Sequence, residues 1–177
     1  MPAYVALLRG INVGGNSLIR MAELRECVAA LGHDDVRTYI ASGNVLFRSG
    51  ERSAAKLDAQ LERAIEERFG FPVRVVVRSA AEVARIVERV PARWRSSPEL
   101  RVSVWFLLRD ARARALSSRL TPKEGVDEVV AAPGAVIWAV RRDALTRTGI
   151  RLIGTPDYRL ITSRNLNTAV KLAELLG

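Results

Sequence analysis

Between residues 3 and 79, helical stripes and strand-like runs alternate in an order that few folds accommodate. "AYVALLR" (3–9) is a short apolar run without helical spacing, ended by Gly10, and reads as a buried strand. Met21, Leu24, Val28 and Leu31 then recur at helical spacing, and Gly32 closes that helix. "VRTYIASGNVLFRS" (36–49) reads as two strands around the turn Ser42-Gly43-Asn44. Leu57, Leu61, Ile65 and Phe69 form a second stripe, stopped by Gly70 and Pro72, and the β-branched run "VRVVVRS" (73–79) returns as a strand. The order β-α-β-β-α-β defines a ferredoxin-like unit, a four-stranded antiparallel sheet with both helices on one face.

The remainder nearly repeats this. Val83, Ile86, Val87 and Val90 mark a linking helix, and "PARWRSSPEL" (91–100) is a Pro/Ser-bounded loop. "RVSVWFLLR" (101–109) is a strand, "DARARALSSRL" (110–120) a helix with Asp110 as N-cap, and "DEVVAAPGAVIWAVRR" (127–142) a hairpin around Pro133-Gly134. A last helix carries Ala169, Leu172 and Leu176. This half is β-α-β-β-α, one strand short; the missing strand lies in "TGIRLIGT" (148–155) or is absent. The expected fold class is α+β with two ferredoxin-like halves, 1–79 and 101–177, joined by the linking helix and loop of 80–100.

Two segments concentrate polar donors. In "LLRGINVGGNS" (7–17) the spacing of Gly10 and Gly15 imitates a phosphate-binding loop, but Asn16 stands where the lysine that neutralises phosphate belongs. The helix also begins late, at Met21, and the hairpin at 42–44 contradicts the parallel sheet such a loop requires. What remains is a Gly14-Gly15 pair between Asn12 and Asn16, after Arg9. Such a loop forms either an anion-binding nest or a plain bend in which the glycines supply positive φ. The other segment is "TSRNLNTAVKL" (162–172), where Thr162, Ser163, Asn165 and Asn167 are N-cap types ahead of a helix and Arg164, expected to be exposed, sits among them.

Four strings, "YVALLRGINVGGN", "MAELRECVAALG", "VRTYIASGNVLF" and "TSRNLNTAVKLAELLG", resemble the signatures of an uncharacterised bacterial family, domain of unknown function 1697. The resemblance runs essentially end to end and implies two ferredoxin-like halves with no assigned activity. The chain departs from the family's usual pattern at Asn16, where lysine is common, and at Leu166, where tryptophan is common.

Charge suggests a second kind of partner. The net charge is +9, almost all from arginine, and residues 74–114 hold ten arginines against four acids. Such a surplus attracts nucleic acid, with Arg85, Arg89, Arg93 and Arg95 as contacts, although spaced arginines equally make an ordinary soluble surface. The aromatic doublet of an RNA-binding sheet is missing from the first half, which offers only Tyr4 and Phe47, while Trp94 and Trp105 flank the basic region. One histidine (His33, read as a surface turn residue) and one cysteine (Cys27, on a helix stripe) cannot build a zinc site, so no metal or cofactor is expected. No apolar run approaches the ~20 residues of a membrane span, and a lone cysteine suits a reducing, cytoplasmic compartment.

The leading expectation is a protein that binds an anionic, phosphate-bearing small molecule through Arg9, Asn12, Gly14, Gly15, Asn16, Asn44, Ser163, Arg164, Asn165 and Asn167. A nucleic-acid module and an interaction module without ligand stand as alternatives. No general acid or base stands out, so turnover is unsupported, and the oligomeric state is not legible.

Overall fold

The computed structural model describes all 177 residues. The chain divides into two compact units, Met1–Ala80 with Leu176–Gly177, and Ala81–Leu175. No helix is long and apolar enough to cross a membrane.

The first unit contains β1 (Ala3–Leu8), α1 (Met21–Ala29), β2 (Asp34–Tyr39), β3 (Asn44–Arg48), α2 (Ala54–Phe69) and β4 (Val75–Ser79). Its sheet is antiparallel with strand order β2-β3-β1-β4. Period-two alternation sends Tyr4, Ala6, Leu8, Val45, Phe47, Val75 and Val77 to one face. There they meet Leu24 and Val28 of α1 and Leu57, Leu61 and Ile65 of α2. Ser53 caps α2 by accepting from the Lys56 N–H, and Gly70, at φ 81°, ends it in the left-handed conformation. Helix α2 also protects the edge strand: Asp58 and Glu62, one turn apart, accept the N–H groups of Val77 and Val75 at 2.7 and 2.8 Å. Val5, Leu7, Leu46 and Val76, on the opposite face, are buried as well.

The second unit contains α3 (Ala80–Glu88, from its second residue), α4 (Ala92–Arg95), β5 (Leu100–Leu107), α5 (Ala113–Arg119), β6 (Asp127–Ala132), β7 (Ala135–Arg141), β8 (Ile161–Asn165) and α6 (Leu166–Leu176). Its strand order, β6-β7-β5-β8, repeats that of the first. The half is therefore complete rather than one strand short. Its fourth strand is not in 148–155 but in "ITSRN", a polar segment recruited by the β5 ladder, where Val104 faces Arg164 and Phe106 faces Thr162. Pairing to a central strand outweighs the segment's weak intrinsic pattern.

The last helix accordingly follows the fourth strand instead of preceding it. Between β7 and β8 the chain makes only two 3-10 helices, Arg142–Arg147 and Pro156–Leu160, because Gly149, Gly154 and Pro156 interrupt any longer helix. Helix α5 starts at Ala113 after Arg112, so Asp110 does not cap it. One face of this sheet carries Trp105, Leu107, Val136, Trp138 and Ile161, packed with Leu116 of α5 and with Ile150 and Leu152.

Candidate functional site

The glycine loop folds as a miniature hairpin. Asn16 N–H donates to the Val13 carbonyl at 3.1 Å, and Asn12 N–H to the Ser17 carbonyl at 3.1 Å. Gly14 and Gly15 occupy the exposed tip at φ 60° and 77°, the pair of positive φ values a type I′ turn needs. Asn12 is spent on the loop itself. Its Nδ2 donates to the carbonyls of Ile19 (3.0 Å) and Ala41 (2.8 Å), and its Oδ1 accepts the Ile19 N–H (2.8 Å). Asn44, fully buried, holds the β2–β3 connection by donating to the Tyr39 carbonyl and the Ser42 hydroxyl. Gly43 in that connection sits at φ 84°, where an L side chain is strained, and a Cβ there would also lie 2.9 Å from Leu8 Cβ. Arg9 is half-buried, and the exposed Asn16 side chain makes no hydrogen bond.

The segment 162–167 is not a row of caps. Thr162 and Arg164 point to the buried face of β8, whereas Ser163 and Asn165 are exposed on the other. Arg164 retains only 6% of its accessible surface and donates through Nη1 to Thr162 Oγ1 and the Ser163 carbonyl, both at 2.8 Å. Burial lowers its pKa to about 10. It is thus not the exposed arginine the sequence suggested, because strand alternation turned it inward. Asn165 is the true N-cap of α6, its Oδ1 accepting the Thr168 N–H at 2.8 Å, and Asn167 stands exposed on the first turn.

Two cavities of the second unit gather the remaining polar residues. One, of about 520 Å³, is lined by Arg95, Arg101 and Arg142, by Ser96 and Ser97, and by Asn165 and Asn167 at the N-terminus of α6. No acidic side chain lines it. Arg95 is braced by donating to the Val87 and Val90 carbonyls, and Arg142 to the Pro98 carbonyl. The other, of about 730 Å³, lies over the Trp105 and Trp138 face and takes in Ser103, Ser163, Arg101, Arg151 and Tyr158. Ser163 therefore faces a different cavity from Asn165 and Asn167.

Near the second cavity, buried Asp127 accepts from the Trp138 indole N–H (3.2 Å), the Lys123 N–H (2.6 Å) and the Thr148 hydroxyl. Burial pushes its carboxyl pKa up, but these bonds and one from the Gly149 N–H outweigh it, leaving the pKa below the ordinary value.

Of the arginines proposed to meet nucleic acid, Arg93 is held by Glu128 through two bonds of 2.8 and 3.0 Å while lying over the Trp94 ring. Arg85 and Arg95 direct donors to backbone carbonyls, and of the four only Arg89 has no side-chain hydrogen bond. Tyr4 and Phe47 stack on each other in the first unit's core, at 5.8 Å between centroids. Cys27 packs beside that core with its thiol pKa raised by burial, which suits an inert small hydrophobe. His33 is half-buried against Phe47, not a surface turn residue, with ring centroids 4.8 Å apart and its pKa lowered by burial. No group of three or more His, Cys, Asp or Glu is placed to hold a metal ion.

Sheet order, crossovers and cavities define an α+β protein of two ferredoxin-like units, with its open pockets in the second. The chain belongs to the family described as protein of unknown function (DUF1697), whose model matches residues 1–138. It is similar in structure to the conserved bacterial protein SP0830 from Streptococcus pneumoniae, with a TM-score of 0.86, 30% identity and 99% of each chain covered. No curated protein matches it.

Proposed function

We propose that this protein binds an anionic, phosphate-bearing small molecule in the 520 Å³ cavity at the N-terminus of α6. The observation that carries this is the lining: three arginines and two asparagines beside the first turn of an 11-residue helix, with no carboxylate to neutralise them. A helix N-terminus presents unpaired N–H groups and partial positive charge, and guanidinium groups add charge-assisted hydrogen bonds. The Arg101 side chain, on the exposed end of β5, makes no hydrogen bond or ion pair within the protein, so its charge is available to a ligand. The lining holds no His, Cys, Asp, Glu, Lys or Tyr, which favours binding over acid–base turnover. In this reading Asn165 and Asn167 orient the anion, while Asn12 and Asn44 shape the first unit's loops.

Thermal shift with inorganic pyrophosphate tests it. The melting temperature should rise with concentration by mass action. Arg142→Gln and Asn167→Asp should each weaken binding about tenfold, and Asn167→Asp should at the same time slightly stabilise the ligand-free protein, since a carboxylate suits a helix N-terminus. The absence of any shift with pyrophosphate would end the proposal. An equal loss in Arg9→Gln or Asn16→Asp would make the glycine loop part of the site.

A further inference from the structure

The second cavity carries a different chemistry. In the first unit α1 and α2 fill the sheet face with apolar side chains. In the second, α5 covers part of the corresponding face, and the short 3-10 helices between β7 and β8 leave about 730 Å³ over the rest. That volume is in the usual range for small-molecule sites.

The exposed surface is aromatic. Trp138 leans on Trp105 with ring centroids 5.4 Å apart and planes tilted by 30°, and Asp127 fixes its indole edge. The half-buried Trp138 and the Tyr158 side chain, 39% exposed, give a flat ligand two rings to meet. The charge is one-sided as well. Arg101 and Arg151 line the cavity without intramolecular partners, and no acid lines it, since Asp127 is committed to its own donors.

We infer that this face binds a planar aromatic small molecule bearing an acidic group, carboxylate or phosphate, the ring lying against Trp138 and the acid meeting Arg151 and Arg101. A flat ring on an indole gains dispersion and offset stacking that a saturated ring of equal size does not. Pairing with a guanidinium group adds the anionic preference. The site has its own lining apart from Arg101, which also borders the pyrophosphate cavity, and Arg151, Trp138 and Tyr158 belong to it alone.

Calorimetry on the full chain tests this with 2-naphthoate and 2-naphthyl phosphate, the tighter of the two identifying the acidic group. Binding should weaken about tenfold for 2-naphthalenemethanol, which lacks the charge, and for decahydro-2-naphthoate, which lacks the π face. Arg151→Gln should weaken the anions about fivefold and leave 2-naphthalenemethanol unchanged, while Arg142→Gln should affect neither. In NMR spectra the Trp138 indole N–H should shift and that of Trp94 should not. Lack of binding by both anions, equal binding of the saturated acid, or a shift at Trp94 alone would overturn the inference. So would a dimer, seen in sedimentation and dissolved by Ile153→Glu, because a second copy would then occupy the face.

Discussion

The two units share a strand order and differ in what spans the step from their third strand to their fourth. In the first it is the 16-residue α2, whose Leu57, Leu61 and Ile65 are fully buried and whose Asp58 and Glu62 close the edge strand. In the second it is a pair of 3-10 helices, with Ile153 82% exposed between them. One sheet is finished by its own chain and the other leaves room for a ligand. One connection thus separates the two copies: a long helix closes the first sheet, and two short 3-10 helices leave the second partly open.

The largest test opens the closed copy. Leu61→Ala should cost about 3–4 kcal/mol, the loss expected for a leucine deleted from a packed core. Hydrogen exchange should quicken in β1 and β4 more than in β5 and β7. A cost under ~1 kcal/mol would mean that α2 is not what holds the first sheet, and the contrast would collapse.

A second test concerns a feature the units share. Arg78 in β4 faces Val5, and Arg164 in β8 faces Val104, so each sheet buries an arginine at the same register position. Arg78→Ala and Arg164→Ala should each cost about 2–3 kcal/mol in urea denaturation, through lost hydrogen bonds and lost packing of the stem. If either is neutral, the correspondence is one of topology alone.

The smallest effect separates the units by pH. In the first, burial lowers the pKa of His33 from 6.5. The unfolded chain then binds the proton more readily, so this contribution is present above the unfolded pKa and is lost as pH falls through the lowered value. In the second, the lowered pKa of Asp127 gives stability present above the unfolded value of 3.8 and lost as pH falls below it. Backbone exchange followed against pH should therefore loosen the neighbourhood of His33 at a higher pH than that of Asp127, and Asp127→Asn should remove the lower of the two steps.

The first unit was readable because each element announces itself: a β-branched or apolar run, a four-residue stripe, then glycine. In the second, β8 was not, since Ile-Thr-Ser-Arg-Asn has the composition of a loop or a cap. Only the long-range ladder with β5 makes it a strand and turns Arg164 inward. The caps were read too generously for the same reason, and Asn165 alone serves. The aromatic pair was within reach. Trp105 and Trp138 lie on the two central strands of the second sheet, where the doublet sought in the first half would have stood. What sequence could not supply was the openness of that face, which depends on a helix that fails to form.

The distribution of the indoles has an optical consequence. Trp94, Trp105 and Trp138, all three tryptophans of the chain, fall in the second unit, and the first has none. Intrinsic tryptophan emission is therefore a natural label on one unit, and it stays blind to the direct loss of structure in the other. Far-ultraviolet dichroism, which sees both backbones, would diverge from that emission whenever the units melt separately. Where the two curves coincide, the tandem unfolds as one cooperative body.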